Sequence, residues 1–177
     1  AIDNPEGILT EDVAGLIGYN SKKLYKRLKD KSKPTRIQLL HLLSRFDLSI
    51  EQAMFLFVVE ERESIGIERN DEEYLENPYL IYEDLRHTTI PVALSTIDLG
   101  MYLKNPPEDL FPSNLVYNDP FEMCRIRALT IQQLEWASLQ GHTLLPRKEI
   151  IKQIRELSIT PTCPINSDYF ELAEEHF

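Results

Sequence analysis

The chain has 177 residues, 42% of them apolar and 27% charged, with a formal net charge of −10. That is the composition of an ordinary globular protein with room for one well-packed domain or two small ones. No apolar run reaches the eighteen or so residues of a membrane span, no signal peptide opens the chain, and the acidic bulk argues against strong non-specific nucleic-acid binding. The two cysteines, Cys124 and Cys163, have neither metal-like spacing nor the density of a disulfide framework, so a cytoplasmic protein with free thiols is expected. Ala1 followed by Ile2-Asp3-Asn4-Pro5 reads as mid-protein sequence, an excised piece of a longer chain.

Charge is unevenly placed. Between Ser21 and Arg36 stand eight basic residues, opposed only by Asp30. Between Glu60 and Glu76 stand eight acids, opposed by Arg62 and Arg69.

The elements are all helical. Thr10 caps a first helix carrying Val13, Leu16 and Ile17 on one face, and Gly18 stops it. Ser21 starts a second, with Leu24, Tyr25 and Leu28 on one side and lysines on the other; together they read as a helix-turn-helix. Lys22, Lys23, Lys26, Arg27, Lys29 and Lys33 are the candidate contacts to a nucleic-acid backbone, against the plainer reading of a solvated helix face. Few Arg, Asn or Gln lie on that helix, so base-specific readout is not expected.

A third helix over Thr35–Phe46 is apolar around much of its circumference. Ser49 and Gln52 form a capping-box pattern that starts a fourth helix, Ile50–Arg62, whose Met54, Phe55 and Phe57 read as core. Ser64–Asn70 reads as a linker, which divides the chain into an N-terminal helical subdomain, 1–66, and a second subdomain, 67–177. A short acidic helix, 71–76, leads into the central stretch.

That stretch is Asn77–Tyr102. Asn77 as N-cap and Pro78 at the first helical position start one short helix. His87-Thr88-Thr89 breaks it, and Pro91 starts another with Val92, Leu94, Ile97, Leu99 and Met101. Two helices this short must bury their apolar faces on flanking helices.

A Pro-rich loop follows (Pro106, Pro107, Pro112, Pro120). Asp119-Pro120-Phe121-Glu122 then starts the longest helix, which runs to Gln140 and stops at Gly141. Ile126, Leu129, Gln133 and Trp136 share a stripe, and Trp136, the only tryptophan, reads as core. Residues 142–145 are extended enough for a small strand, giving a winged-helix-like passage into a helix from Arg147 to Leu157. A last helix, capped by Asn166 or Ser167, ends near Glu175.

Two pieces carry a resemblance. The first is Asn77-Pro78-Tyr79 with Asp84 and Asp98 at fixed distances; the second is Gly141-His142-Thr143-Leu144-Leu145-Pro146. In this order and separation they resemble the helix-hairpin-helix region and a Gly-His-Thr-x-Leu-Pro signature of RecD-like superfamily-1 DNA helicases, relatives of the exonuclease V alpha subunit and of AAA-type ATPases. The resemblance covers roughly residues 70–177. It implies a parent protein that unwinds or repairs DNA with ATP and Mg, and it implies that this segment is an accessory region packed on motor domains. Single-stranded or forked DNA and those motor domains are the implied partners. The family's hairpin turn is usually Gly-Ile-Gly. Here it reads His87-Thr88-Thr89-Ile90, and Thr and Ile do not permit the close backbone approach that glycine does.

Catalytic chemistry is not expected in the segment. It has no Walker A loop, so no nucleotide cofactor of its own, and its four histidines show no metal spacing. His142 reads as a residue that stabilises the end of the long helix. Arg147 and Lys148 form a second, weaker candidate patch for DNA. A structural or protein-interaction module, with the acidic 60–76 segment facing a partner, is the alternative.

Overall fold

In a computed structural model, residues 34–103 and 119–175 are described. Among them are nine helices and no strand. In chain order they are α1 Pro34–Leu43, α2 Ile50–Phe57, α3 Val59–Ser64, α4 Asp71–Glu76, α5 Leu80–Leu85, α6 Leu94–Met101, α7 Met123–Leu139, α8 Arg147–Glu156 and α9 Ser167–Glu174. The expected all-α class therefore holds. The two helices expected before residue 34 and most of the Pro-rich loop lie outside the described residues.

The core follows the helix order. In α1 Leu39, Leu40, Leu42 and Leu43 are all buried, as its broad apolar surface requires. It packs on α4 and α2. The long α7 is the hub of the second half, with α5, α6, α8 and α9 against it. Its Ile126, Ala128 and Leu129 meet the core that Tyr79, Ile81, Leu85 and Ile97 build from α5, α6 and the turn before them.

Several helices begin or end elsewhere than the sequence predicts, each for a local reason. The expected Ile50–Arg62 helix is two helices. The Ser49 capping box forms, with Gln52 N–H donating to Oγ at 3.2 Å and Ser49 N–H to Gln52 Oε1 at 2.8 Å. Val58 then turns extended (φ −91°, ψ 113°), and its carbonyl starts α3 by accepting from Glu61 and Arg62. Two adjacent β-branched residues, Val58 and Val59, weaken the helix there. The break swings Arg62 inward, where it is 1% exposed.

Regular α-helix in the central stretch starts at Leu80, not Pro78. Asn77 still does the capping, one turn early: its Oδ1 accepts from Tyr79 N–H at 3.1 Å and its carbonyl from Leu80 N–H at 3.1 Å. Pro91 does not begin α6. Residues 91–93 stand outside any helix, with Ala93 extended (φ −73°, ψ 142°), and the Pro91 carbonyl accepts from Gln52 of α2 at 2.6 Å. The long helix starts at Met123 instead of Pro120, because Asp119 closes a tight turn first, its Oδ1 accepting from Phe121 N–H at 2.8 Å. Residues 142–146 pair with nothing as a strand, so the strand of the winged-helix-like passage is absent. Trp136 is 48% exposed and not core; the buried stripe of α7 ends at Ala137, on the neighbouring face.

Candidate functional site

The two carboxylates of the central motif, Asp84 and Asp98, each close a polar cluster. Asp98 is 3% exposed on α6. Its Oδ1 accepts from the Tyr79 hydroxyl at 2.7 Å and from Arg125 Nε at 2.7 Å, and its Oδ2 accepts from Arg125 Nη2 at 2.8 Å. Arg125 comes from the first turn of α7 and is fully buried. It also donates to the carbonyls of Pro120 at 3.1 Å and Pro161 at 2.6 Å, and lies over the Tyr102 ring at 4.5 Å. One guanidinium thus joins α6, the turn before α7 and the loop before α9.

Burial shapes this cluster's protonation. It pushes the Tyr79 hydroxyl well above its ordinary value, and the neighbouring Asp98 charge adds to that. For Arg125, burial opposes the charge, but hydrogen bonds to Asp98 and its negative charge outweigh burial and raise the pKa. Cys163 sits beside the cluster, 1% exposed, and burial pushes its thiol up to about 11. A thiol held protonated in this way is not a nucleophile at neutral pH.

Asp84 closes the second cluster. Arg69 Nε donates to both its oxygens, at 3.0 and 2.7 Å, and the Tyr74 hydroxyl donates at 3.0 Å. Burial raises the Tyr74 pKa, with Asp84 adding to the effect. A shallow cleft of about 510 Å³ opens here, lined by Gly66, Arg69, Glu73, Glu83 and Asp84.

The hairpin between α5 and α6 is closed by side chains. Thr88 Oγ1 donates to the Leu85 carbonyl at 2.7 Å and accepts from Ile90 N–H at 3.3 Å. Glu135 of α7 gathers the same end: Tyr82 donates to it at 2.9 Å, His87 Nε2 lies 3.0 Å away, and Arg86 Nε also reaches it. The Thr88 N–H is committed to the turn itself, donating to the Leu85 carbonyl at 3.0 Å.

The second motif ends α7. Gly141 has φ +87°, its N–H donates to the Ser138 carbonyl at 2.9 Å, and His142 N–H donates to the Ala137 carbonyl at 2.9 Å. That is a Schellman cap. Only the His142 backbone takes part in this cap; its side chain and that of Thr143 are exposed. Pro146 caps α8 with its carbonyl, which accepts from Glu149 N–H at 2.9 Å.

The basic candidates divide sharply. Lys22, Lys23, Lys26, Arg27, Lys29 and Lys33 lie outside the described residues. Arg147 pairs with Glu171 at 2.7 Å and Glu174 at 2.9 Å on α9, while its neighbour Lys148 is exposed. Among the described residues Arg36, Arg62, Arg69, Arg86, Arg125 and Arg127 are also each ion-paired to a carboxylate. The buried cross-links of Arg125 and Arg62 escape a sequence reading; the only sign is an arginine inside an apolar helical stripe. No group of three or more metal-ligating side chains occurs among the described residues, and no helix among them is long and apolar enough to cross a membrane. No family model, curated protein or solved structure matches the chain.

Proposed function

We propose that this segment is a non-catalytic accessory region of a RecD-like, ATP-dependent DNA helicase of the cytoplasm. It braces motor domains, and ATP and Mg act in those domains. Placement of the motif residues carries the reading. In the Asn77–Tyr102 stretch Tyr79 donates to Asp98 at 2.7 Å, and Asp98 accepts from Arg125 of the longest helix at 2.7 and 2.8 Å. Gly141 ends that same helix with a fixed cap. Motif residues such as Tyr79, Asp98 and Gly141, which lock helices together, suit mechanical support. In this reading α5 and α6, two short helices joined by a turn, are the degenerate helix-hairpin-helix.

Grip on single-stranded or forked DNA falls to Lys22, Lys23, Lys26, Arg27, Lys29 and Lys33, with Lys148 a minor addition. Arg147 is occupied by α9 carboxylates. The test is fluorescence anisotropy of the chain with forked DNA over a salt series. Replacing those six cations by Ala should weaken binding and flatten the slope of log K against log salt. Unchanged affinity and slope would remove the DNA role.

The exposed glutamates Glu60, Glu63, Glu68 and Glu72 favour a second reading, a protein-interaction module with no nucleic-acid binding of its own. Under it the chain stays off DNA even at low salt but still retains a basic partner.

A further inference from the structure

We infer that the corner where α7 turns into α8 docks an acidic amphipathic helix of a partner protein. The partner's carboxylates meet Lys148, Lys152 and Arg155, and its apolar side chains meet Leu139, Leu144 and Trp136. The α8 sequence makes the charged half. Ile150, Ile151 and Ile154 are buried, while Lys148, Lys152 and Arg155, spaced i, i+4 and i+7, share one exposed stripe. At the rise of an α-helix that row is ~10 Å long. Neither Lys148 nor Arg155 is ion-paired among the described residues, and Lys152 has only its helix neighbour Glu149, at 3.8 Å. Arg147, on the flank toward α9, is already taken by Glu171 and Glu174.

The apolar half comes from the adjoining turn. Leu139 and Leu144 are each 86% exposed, and Trp136, one helical turn before Leu139, is half exposed. The Gly141 cap stands between the two leucines, and Leu145 packs against the core, so the turn is held in place with Leu144 left outside. Large apolar side chains gathered on one exposed corner mark a contact surface, and tryptophan and arginine are enriched in such surfaces.

Charge selects the occupant. α9 packs on α8 and presents exposed Asp168, Glu171 and Glu174, and α8 itself adds exposed Glu156. A continuous polyanion, DNA or an anionic bilayer, meets those carboxylates as well as the cations. A helix with acids at matching i, i+4 and i+7 positions meets the row alone, and its apolar flank reaches the leucines. A second copy joined through the same patch would set cations against cations. That the partner helix belongs to a motor domain rests on the reading above; the patch itself does not.

Fluorescence anisotropy of the full chain with a labelled synthetic helix tests it. The probe has ~20 residues, with Leu at heptad positions a and d and Glu or Ala elsewhere. The chain should bind it saturably with Kd below ~1 mM, and K148E/K152E/R155E and L139S/L144S should each weaken binding at least ~tenfold. All five side chains are exposed, so circular dichroism should show both variants folded. A probe with Lys in place of Glu should not bind. Absence of saturable binding, equal binding of the Lys probe, or indifference to either variant overturns the proposal. So does forked DNA that displaces the probe and binds L139S/L144S as well as the parent, because the row would then serve nucleic acid. The six-cation salt series tests the DNA role separately: probe binding without DNA binding keeps this surface and removes that role.

Discussion

Arg125 and Asp98 face each other through two parallel hydrogen bonds, Nε to Oδ1 at 2.7 Å and Nη2 to Oδ2 at 2.8 Å, with 0% and 3% of the residues exposed. Such a fork is geometrically specific, and two further donors of the guanidinium go to the Pro120 and Pro161 carbonyls. Removing one partner leaves a buried charge with nothing opposite it. Arg125→Met should therefore lower stability by about 3–5 kcal/mol, and Tyr79→Phe, which removes only one donor to Asp98, by about 1.5–3 kcal/mol. Urea unfolding followed by circular dichroism measures both. The double variant Asp98→Leu with Arg125→Met should lose less than the sum of the two single variants. A strictly additive result would mean that the pair is not coupled.

Gly100 faces the end of α1 without room for a side chain. A Cβ built there would stand 2.4 Å from Phe46 Cδ1 and 2.8 Å from the Arg45 carbonyl oxygen. The ring can turn aside; the carbonyl is backbone and cannot do so cheaply. Gly100→Ala should cost about 1–3 kcal/mol despite the better helix propensity of Ala. Adding Phe46→Leu should recover only part of the loss, since the Arg45 contact remains. Thermal melts of the two variants and the parent decide it, and a stabilised Gly100→Ala variant would contradict the packing.

Gly141 isolates a different effect. An added Cβ meets nothing within 4 Å, so any cost of Gly141→Ala is that of the backbone at φ +87°. That cost is about 1–2 kcal/mol. His142→Ala removes only an exposed side chain and should change stability by less than about 0.5 kcal/mol. Chemical denaturation of the pair tests whether the glycine, rather than the histidine, carries the structural weight of the second motif.

Much of this was legible in the sequence where signals are local. Ser49 with Gln52, Asn166 before α9 and Gly141 after α7 are caps whose chemistry is complete within a few residues, and all three form. Helix starts marked by Pro were displaced by about a turn, because Pro78, Pro91 and Pro120 tolerate a first helical position without requiring one. The Val58 break was hidden for a related reason: an apolar helix and an apolar kink look alike until Arg62 and Asp71, nine residues apart, are seen to meet at 2.6 Å. Trp136 fails on a register of one face, which a helix of 17 residues cannot fix from hydrophobicity alone. Asp84 and Asp98 were visible as motif positions, yet their partners Arg69, Tyr74 and Arg125 are set by tertiary packing.

The buried phenols give the fold a pH limit on the alkaline side. Burial is the leading cause of a raised pKa at Tyr74, Tyr79, Tyr82 and Tyr102, and at Tyr74, Tyr79 and Tyr82 hydrogen bonds to Asp84, Asp98 and Glu135 add to it. In the unfolded chain these hydroxyls ionise near 10. Above that pH the unfolded state releases protons that the folded state still holds, so unfolding becomes progressively more favourable. Their contribution to stability is complete below pH 10 and declines as pH rises toward the folded values. Absorbance at the tyrosinate band should show Tyr74, Tyr79, Tyr82 and Tyr102 ionising only together with the loss of helical circular dichroism. Tyr79→Phe removes one such group, so its stability deficit relative to the parent should narrow above pH 10. A single smooth titration of all tyrosines with helicity intact would show that these hydroxyls are open to water, and would remove the Tyr79–Asp98–Arg125 cluster as the brace of the fold.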